Sequence, residues 1–378
     1  MKISKTYAYV GAFRFPDRDA AAKRVLGIGQ ILKKIGHKVI FLGGEKGDES
    51  EKNFKGFSYY SQSELDHNSS SVFEKISNFL NSGSNTVKWL ESHNKEIDSV
   101  IVYNSSNIFL SNIKKFCKRH NKELIVDCTE WYDSSHLPGG RFGLVSIDNY
   151  LKMNFGYKKN IDKMIVISSF LKNFYSPNIE TIFIPPLNSY PDFTPSRQYG
   201  NKINIIYAGS PAQKDNLISV IKAIGHSAIK EKIDFYIIGI DSFSFSYGNL
   251  PSNVFFKGRL SHEDVLKEYL KADFSVLIRP NKRYAHAGFS TKFVESNYFE
   301  VPVITTNTSD LAKYVINNKN GFIIDSDKPL EDELEKILIQ IVNMDRSSIT
   351  KIKEMSKALS REFNLENYVE EMEAFLSH

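Results

Sequence analysis

The sequence predicts an α/β protein made of two successive doubly wound domains, and three observations lead to this prediction. The chain has 378 residues, which is too long for one ordinary hydrophobic core and indicates about two domains. Short apolar runs alternate with segments of helical periodicity, as in parallel sheets covered by helices. This alternation starts afresh after an aperiodic segment with two prolines at 188–201.

The first half begins with a strand at 7–11 and a helix over about 19–35. Gly36 and His37 end that helix before the strand KVIFLGG, and strand, helix and strand in this order form the βαβ unit of a parallel sheet. Further strands are predicted at 99–104, 123–128, 163–168 and 181–186. The polar stretch 60–71 and the glycine-containing stretch 133–148 are predicted to be loops.

The second half predicts strands at 203–209, 234–239, 253–258, 273–278 and 302–306, with helices from about Asp215, at 261–272 and at 291–300. We therefore expect an N-terminal domain over 1–187, a linker over 188–201 and a C-terminal domain over 202–361. A last helix over 362–378 is predicted to cross back to the N-terminal domain, because it carries an apolar stripe of Tyr368, Met372, Phe375 and Leu376. Ligands of such sheets bind at the carboxyl ends of the strands.

The charge balance excludes some functional classes. Basic residues number 49 and acidic residues 44, and no dense Lys/Arg tract is present, which argues against a dedicated nucleic-acid-binding protein. Cys117 and Cys128 make no disulfide framework and fit a reducing compartment. The N-terminus lacks the features of a signal peptide, and no apolar run approaches the ~18 residues of a membrane span. We therefore expect a cytoplasmic protein.

The segment Gly288-Phe289-Ser290-Thr291 precedes a predicted helix and has the properties of an anion site. A helix N-terminus presents free N–H groups, so it holds a diphosphate well. Ser290 and Thr291 add hydroxyl donors, and Gly288 lets the backbone approach a ligand closely. Lys292 lies in the first turn, where a cation opposes the helix dipole unless an anion is near. The alternative is an ordinary helix cap with a solvated lysine.

The second half also resembles a known family. The stretches KGRLSHEDVLKEYLKADFSVLIRP and HAGFSTKFVESNYFEVPVITTN, followed by Gly-Phe-Ile-Ile-Asp at 321–325, resemble the donor half of family 4 glycosyltransferases over roughly 203–325. The resemblance implies the GT-B fold, in which two Rossmann-like domains face a cleft. It also implies transfer, with retention of configuration, of a hexose from a nucleotide diphosphate sugar to a glycan or lipid-linked glycan. A bacterial surface polysaccharide such as a capsule, made at the inner face of the membrane with peripheral association, is the implied setting.

The resemblance assigns donor-binding roles to residues that match the family's motifs. Glu295 matches the carboxylate that binds the ribose hydroxyls, and Gly209 and Lys214 match a loop that clamps the diphosphate. This chain departs from the family at Ser210, where an Arg is common. It departs again at Ala287, where a Glu near the donor sugar is usual, and His286 or Arg283 is a conjectured substitute for that Glu.

Other basic and glycine residues are further candidates for donor binding. Arg279, Lys282 or Arg283 could supply the cation missing at Ser210, since fixed cations stabilise a departing nucleotide diphosphate. Arg259 follows a strand end where the family contacts the base. Gly11 ends the first strand, where close approach to the donor and a tight turn are both reasons for a glycine. A solvated surface position is the alternative for these basic residues.

The acceptor side is predicted in the N-terminal domain. The segment Asp127-Cys-Thr-Glu130-Trp131-Tyr132 resembles the part of the family near the acceptor, with Thr129 at a common His position. Asp127 and Glu130 are candidates for orienting the acceptor or accepting its proton. Trp131 and Tyr132 suit stacking on a sugar, although burial in the core is the alternative for Trp131. Arg14, with Lys23 and Arg24, could attract an anionic acceptor or form a solvated basic face.

Metal-dependent chemistry is not expected. Two Asp-x-Asp triplets occur, at 17–19 and 325–327, and such a triplet can hold a divalent cation on a diphosphate. With 44 acidic residues, chance triplets are expected, and GT-B architecture needs no metal at 325–327. The sequence also lacks zinc-ligand clusters, a P-loop and a nucleophile elbow. We therefore predict that the helix N-terminus, with Lys214 and Lys292, replaces a metal.

Two other functions stay open. The chain could be a catalytically weakened relative that binds a sugar nucleotide and assists an active transferase, because the family's Glu, Arg and His are replaced by Ala287, Ser210 and Thr129. It could also be a GT-B sugar-nucleotide epimerase or hydrolase. Such enzymes need further acid–base groups around the sugar, and the sequence offers no convincing set.

Overall fold

The computed structural model describes residues 4–16, 18–65, 71–188, 190, 200–209, 215–226, 228–241, 248–325 and 327–377. The chain divides into two compact units. Unit 1 consists of Met1–Ser189 together with Leu365–His378, and unit 2 consists of Tyr190–Asn364.

Unit 1 is built on one mainly parallel sheet. Its strands are β1 (Thr6–Gly11), β2 (Lys38–Gly43), β3 (Lys52–Phe54), β4 (Phe57–Ser61), β5 (Ser99–Tyr103), β6 (Glu123–Cys128), β7 (Lys163–Val166) and β8 (Glu180–Phe183). Over the described residues their order is β3-β4-β2-β1-β5-β6-β7-β8. Strands β3 and β4 pair antiparallel, and the other neighbours pair parallel. The central strands are buried almost throughout, which explains their continuous apolar runs.

Helices connect these strands. They are α1 (Ala20–Lys34), α2 (Val72–Leu80), α3 (Ser84–Ser92), α4 (Asn107–His120), α5 (Leu144–Asn154) and α6 (Ser169–Tyr175). Helix α1 begins where Asp19 accepts a hydrogen bond from the Ala22 amide, and its apolar stripe, including Val25 and Ile28, packs into the core. The carboxyl ends of β1, β5 and β6 and the residues that follow them therefore lie at one edge of the sheet.

Unit 2 repeats this architecture in a parallel sheet. Its strands are β9 (Ile203–Ala208), β10 (Ile233–Ile238), β11 (Val254–Phe256), β12 (Phe274–Leu277), β13 (Val303–Thr306) and β14 (Gly321–Ile324). In the described part of this unit the strand order is β11-β10-β9-β12-β13-β14. Its helices are α7 (Leu217–Ile224), α8 (His262–Tyr269), α9 (Arg283–Ala287), α10 (Thr291–Tyr298), α11 (Leu311–Tyr314), α12 (Leu330–Val342) and α13 (Arg346–Leu359). Strand order reverses between β9 and β12, which places a ligand-binding crevice at their carboxyl ends.

The last helix returns to unit 1. A short 3-10 turn at Leu365–Tyr368 leads into α14 (Val369–Ser377). Met372, Phe375 and Leu376 are buried in the core of unit 1, and α14 packs on α1. The predicted apolar stripe and its return to the N-terminal domain are therefore confirmed.

The predicted fold class of two doubly wound α/β domains is confirmed. One loop prediction is wrong in part, because α5 begins at Leu144, inside the stretch 133–148. The β3–β4 hairpin, α2 and α3 were not predicted, since short elements with exposed apolar residues give weak periodicity. Most of the predicted linker, 191–199, lies outside the described residues. Across the part of the chain that is described, no helix is both long and apolar enough to span a membrane.

Candidate functional site

Four chain segments of unit 2 meet at the strand-order reversal. Gly209 follows β9, Asp215 precedes α7, Arg279 follows β12, and Lys292 lies in the first turn of α10. The Arg279 amide donates to the Thr306 hydroxyl at 3.0 Å, which ties the end of β12 to the end of β13. The sheet thus brings together residues separated by long stretches of sequence.

Asp215 is the centre of this group. Its carboxylate accepts hydrogen bonds from Lys292 Nζ at 2.7 Å, Arg279 Nε at 2.9 Å and the Tyr207 hydroxyl at 2.7 Å. The Asp215 side chain is 3% exposed, whereas those of Lys292 and Arg279 are 22% and 16% exposed. The cations therefore retain contact with solvent, and the carboxylate that orients them does not. We call Asp215, Lys292, Arg279 and Tyr207 the Asp215 cluster.

The Asp215 cluster changes the ionisation of its members. Burial alone would raise the pKa of Asp215, but Lys292 and Arg279 outweigh burial and lower that pKa below its ordinary value. Burial lowers the pKa of Lys292, and attraction to Asp215 opposes that shift. Burial and the nearby Asp215 raise the pKa of Tyr207. The carboxylate is therefore charged near neutral pH, and it helps to keep Lys292 protonated.

Gly209 has a structural reason to be glycine. Its φ is +135°, a conformation that residues with a Cβ rarely adopt, and an added Cβ would lie 2.5 Å from Lys292 Cε. The Lys292 side chain thus crosses directly over the end of β9, and its Nζ is 4.3 Å from the centre of the Tyr207 ring. Ser210 and Lys214, the other predicted residues of this loop, lie outside the described residues.

The N-terminus of α10 begins as predicted, at Thr291. Ser290 is its N-cap and is 5% exposed, and its side chain makes no capping hydrogen bond. That hydroxyl therefore does not cap the first turn, in which the Phe293 amide donates to the Ser290 carbonyl at 3.1 Å. A helix N-terminus attracts anions through its partial positive charge. Phe289 is buried against Phe293 and anchors the turn after Gly288.

Glu295 lies one turn further along α10 and is partly exposed. Its carboxylate accepts a hydrogen bond from Tyr190, whose pKa is raised by burial and by this neighbouring charge. Tyr190 itself packs against the rings of Tyr298 and Phe299. A carboxylate can accept several hydrogen bonds, so Glu295 has capacity beyond the one from Tyr190.

The structure also shows the surroundings of Ala287, where the sequence departs from the family, and of nearby candidate residues. The Ala287 side chain is fully buried. The His286 ring nitrogen Nε2 is 2.7 Å from Asn281 Oδ1, and Asn281 donates to Asp327 at 2.9 Å. Arg283 begins α9 and is exposed, as is Arg259 after β11. The His286 ring is thus already engaged in a polar network.

Asp325 and Asp327 of the second Asp-x-Asp triplet contact each other. The Asp327 amide donates to the Asp325 carboxylate at 3.1 Å. Asp17 of the first triplet is outside the described residues, and Asp19 caps α1. Among the residues that can be described, no three His, Cys, Asp or Glu side chains cluster as metal ligands would.

In unit 1 the predicted catalytic residue Asp127 is a buried ion-pair partner. Its side chain is inaccessible to solvent and accepts hydrogen bonds from Arg24 Nη2 at 2.9 Å, Arg24 Nε at 3.2 Å and the Tyr9 hydroxyl at 2.6 Å. Arg24 also donates to the carbonyls of Ile184 and Pro185. Both interpretations of Arg24, contact with an anionic acceptor and a solvated basic face, are therefore wrong, because Arg24 is buried and ties α1 to β6 and to the chain after β8.

The other predicted acceptor-side residues surround the end of β6. Tyr132 donates to Glu130 and accepts from Asn104 at 3.1 Å, and burial, together with Glu130, raises the pKa of Tyr132. Trp131 packs edge-on against Phe174, with 5.0 Å between the ring centres. Glu130, Trp131 and Tyr132 are all partly exposed. The segment therefore combines a carboxylate with aromatic surfaces, as the sequence predicted.

The last two predicted site residues, Gly11 and Arg14, lie at the end of β1 and just after it. Gly11 has a φ of +135°, and a Cβ there would clash with the Tyr103 carbonyl, so the turn itself requires glycine. Arg14 pairs with Asp19 at 3.5 Å. Gly11 also lines a cavity of about 380 Å³ within unit 1, together with Phe79, Ser105 and other residues. That cavity is of a size that small ligands occupy.

Sequence reasoning missed several residues of these sites. Asp215 and Tyr207 in unit 2, and Tyr9 in unit 1, make the contacts that position predicted residues. Asp215 directly follows the predicted Lys214, and this neighbouring position is the one feature of the sequence that could have indicated Asp215. Nothing local indicates that its partner is Lys292, 77 positions away.

Comparison with known proteins extends these observations. Residues 191–358 match a family model described as glycosyl transferases group 1. An uncharacterised glycosyltransferase of Methanocaldococcus jannaschii is 24% identical over 235 residues, which cover 59% of this chain and 62% of that protein. The match therefore spans less than two thirds of the length of that relative.

Solved structures show the fold. Sucrose-phosphate synthase from Thermosynechococcus elongatus has a TM-score of 0.74 and 14% identity, covering 99% of this chain and 98% of the other. HepE of Anabaena, solved in complex with UDP and glucose, has a TM-score of 0.65 and 13% identity, covering 99% of each chain. The fold common to them and to this chain is GT-B.

Proposed function

We propose that this chain, which belongs to the glycosyl transferases group 1 family through residues 191–358, transfers a sugar from a nucleotide diphosphate sugar to a hydroxyl group of a glycan or lipid-linked glycan. The observation that carries the proposal is the Asp215 cluster. It holds two cations, Lys292 and Arg279, close to the start of α10. Lys292 is itself the second residue of that helix.

This arrangement suits the diphosphate of a sugar nucleotide. The phosphates would lie on the first-turn N–H groups of α10, with Ser290 and Thr291 as hydroxyl donors. Lys292 and Arg279 would turn from Asp215 toward the phosphate oxygens, since both are partly exposed. Gly209, which has no side chain, would let the ligand approach the protein backbone closely. The predicted residues Ser210 and Lys214 would complete the loop. Negative charge that develops on the leaving diphosphate is stabilised by such fixed donors.

The nucleoside would extend from this phosphate site. Glu295 would bind the ribose hydroxyls, because its carboxylate is one helical turn beyond the phosphate donors and keeps acceptor capacity. Arg259, together with the backbone after β11, would contact the base. Gly288 and Phe289 would shape the turn against which the donor lies. UDP is the first nucleotide to test, because the related fold of HepE was solved with UDP.

The proposed reaction exchanges one glycosidic bond for another. The bond from the anomeric carbon to the diphosphate oxygen breaks, the acceptor oxygen bonds to that carbon, and the acceptor proton leaves. We propose retention of configuration, with the leaving phosphate accepting the proton. This route requires no carboxylate at the buried position of Ala287. No metal is needed in this scheme, since Lys292, Arg279 and the helix N-terminus stabilise the leaving group.

The acceptor is proposed to bind unit 1. Glu130 would orient the acceptor hydroxyl, and Trp131 and Tyr132 would provide aromatic surfaces for a sugar. Arg14 would attract an anionic group of a lipid-linked acceptor. Asp127 would act through the segment that it holds, because its carboxylate is inaccessible and occupied by Arg24 and Tyr9. The proposed setting is surface polysaccharide synthesis, such as that of a capsule, in the cytoplasm at the inner face of the cell membrane, and its support is the family resemblance.

A thermal-shift screen tests donor binding. UDP, GDP, dTDP, CMP and their sugars would be added to the wild type, to Glu295→Ala and to Glu263→Ala, an exposed control on α8. A ligand at a hundred times its Kd stabilises the folded state by about 2.7 kcal/mol. We expect a shift with one nucleotide class, lost in Glu295→Ala and kept in the control. The absence of a shift with every nucleotide would contradict the donor site.

A second candidate is a sugar-nucleotide-binding partner of an active transferase. It is favoured by the buried Ala287 at the usual glutamate position and by the engagement of His286 with Asn281. Donor binding without transfer to any acceptor extract would support this alternative. An epimerised or free sugar, formed without an acceptor, would instead indicate an epimerase or hydrolase.

A further inference from the structure

Helix α5 has its polar side facing inward and its apolar side facing outward. The buried residues of this helix include Ser146, Asp148, Asn149 and Lys152. Its exposed residues include Leu144, Ile147, Tyr150 and Leu151. A surface helix ordinarily shows the opposite distribution, because apolar side chains gain stability when they leave water. The exposed apolar side chains of α5 therefore raise the question of what they contact.

The exposed apolar surface extends beyond the helix at both ends. The large apolar side chains that share it are 42–85% exposed: Phe142 85%, Leu144 57%, Ile147 46%, Tyr150 61%, Leu151 42% and Phe155 55%. We call these six residues the α5 face. Contiguous apolar surfaces of this kind on a folded protein usually mark a site of interaction with a protein or membrane.

Polar contacts on the inner side hold α5 in this orientation. Asp148 accepts a hydrogen bond from the Asn107 amide at 2.8 Å, at the start of α4. Lys152 Nζ donates to the Ser105 carbonyl at 2.7 Å, in the connection after β5. Lys152 is buried, and this burial lowers its pKa. Rotation of the helix to bury its apolar side would break both contacts.

The exposed charged side chains that adjoin the α5 face in sequence, between Asp133 and Asp162, are basic. The stretch 134–161 contains a single carboxylate, Asp148, which is buried. Arg141 precedes the helix and Lys158 and Lys159 follow it, and all three are exposed. Basic residues that flank an exposed apolar surface are the pattern of proteins that bind anionic lipid surfaces.

These charges distinguish between two occupants. A second copy of this chain, docked through the same surface, would bring its own Arg141, Lys158 and Lys159 against those of the first, and like charges repel. An anionic bilayer offers headgroups for the cations and a hydrocarbon boundary for the apolar side chains. Charge complementarity therefore favours the bilayer.

We propose that the α5 face is a membrane-docking surface, which inserts its apolar side chains into the interface of an anionic bilayer while Arg141, Lys158 and Lys159 bind lipid phosphates. The inference rests on the proposed function only for its setting, a lipid-linked acceptor at the cell membrane. Docking itself requires neither donor nor acceptor. It gives the chain a specific orientation on the membrane through unit 1.

Vesicle co-sedimentation tests the proposal on the full-length chain. The probes are vesicles of phosphatidylcholine with phosphatidylglycerol and vesicles of phosphatidylcholine alone, with no nucleotide present. We expect binding to the anionic vesicles that weakens as salt increases, since surface charge attraction is screened. Binding to neither vesicle, or equal binding to both at every salt concentration, would overturn the proposal.

Matched variants locate the surface. Ile147→Ser should weaken vesicle binding by about tenfold, because it removes one large apolar side chain from the interface. Ile316→Ser changes the same residue type at similar exposure in unit 2, 52% against 46%, and should leave binding unchanged. Equal effects of the two variants would overturn the assignment to α5. Both proteins should unfold at the temperature of the wild type, since both positions are exposed.

Sedimentation velocity tests whether a second copy of the chain, and not a bilayer, covers the α5 face. We expect monomers at micromolar concentration, with no change in Ile147→Ser. A dimer that Ile147→Ser converts into monomers would show that a second copy covers the α5 face, and would overturn membrane docking. The nucleotide screen is independent of these measurements, so failure of the proposed transfer and failure of docking have different readouts.

Discussion

The Asp215 carboxylate accepts a hydrogen bond from the Lys292 ammonium, with 2.7 Å between Oδ2 and Nζ, across 77 positions of sequence. This contact explains how a lysine is kept charged in the first turn of a helix, where the dipole opposes it. It also holds the lysine beside the N–H groups that would bind phosphate. Asp215 is thus a positioning residue of the proposed donor site.

The first prediction concerns the pH dependence of nucleotide binding. Burial lowers the Lys292 pKa and Asp215 opposes that shift, so Asp215→Asn should lower the Lys292 pKa further. In the proposed donor site, the protonated form of Lys292 would bind phosphate. We therefore expect loss of nucleotide binding, measured by calorimetry as pH rises, to occur at a lower pH in Asp215→Asn than in the wild type. The control is Asp234→Asn, whose partner is Lys202 on the same unit. An unchanged midpoint in Asp215→Asn would show that Asp215 does not act through Lys292.

The second prediction concerns the crossing of Lys292 over Gly209. Gly209→Ala should destabilise the chain by about 1–3 kcal/mol and weaken nucleotide binding, because the new Cβ meets strained backbone and displaces the lysine. Urea unfolding and calorimetry measure the two effects. Gly36→Ala is the control for backbone strain, since Gly36 also has a positive φ, +99°, and a Cβ there meets nothing within 4 Å. If nucleotide binding survives Gly209→Ala unchanged, Lys292 is not a phosphate ligand.

The third prediction concerns the contribution of the Arg24–Asp127 ion pair to stability. Removal of one partner of a buried ion pair costs about 3–5 kcal/mol, so Arg24→Met and Asp127→Asn should each lower the free energy of unfolding strongly. The double variant Arg24→Met, Asp127→Asn should cost less than the sum of the two single changes. Lys267→Met breaks an exposed pair with Glu263 and should cost less than about 1 kcal/mol. Additive losses in the cycle would contradict a coupled buried pair.

The fourth prediction concerns Lys114, which donates to the Lys159 carbonyl and ties α4 to the turn that follows α5. Burial lowers its pKa from 10.5 to about 8. Between these values the unfolded chain binds a proton that the folded chain has released, so the contribution of Lys114 to stability rises as pH increases. We expect a midpoint near 8 for the Lys114 side-chain resonance in an NMR titration. We also expect the difference in stability between the wild type and Lys114→Met to grow in favour of the wild type from pH 8 to 10. A midpoint near 10.5 would contradict the burial.

Much of the fold followed from local patterns. Continuous apolar runs predicted the central strands of both sheets, and the spacing in 362–378 predicted the return of the last helix. The start of α10 at Thr291 was predicted from Gly288-Phe289-Ser290, because a helix N-terminus has a local signature. Short elements such as β3 and α3 were missed, since a few residues carry little periodicity.

The sequence by itself determined the two α/β domains, the resemblance of residues 203–325 to family 4 glycosyltransferases and the start of α10, since each depends on residues close together along the chain. The tertiary structure decided what those residues contact. It paired Lys292 with Asp215, enclosed Asp127 with Arg24, and turned the apolar side of α5 outward. The physical reason is that ion pairs and burial depend on which strands and helices become neighbours, and the register between distant segments leaves no local pattern in the sequence.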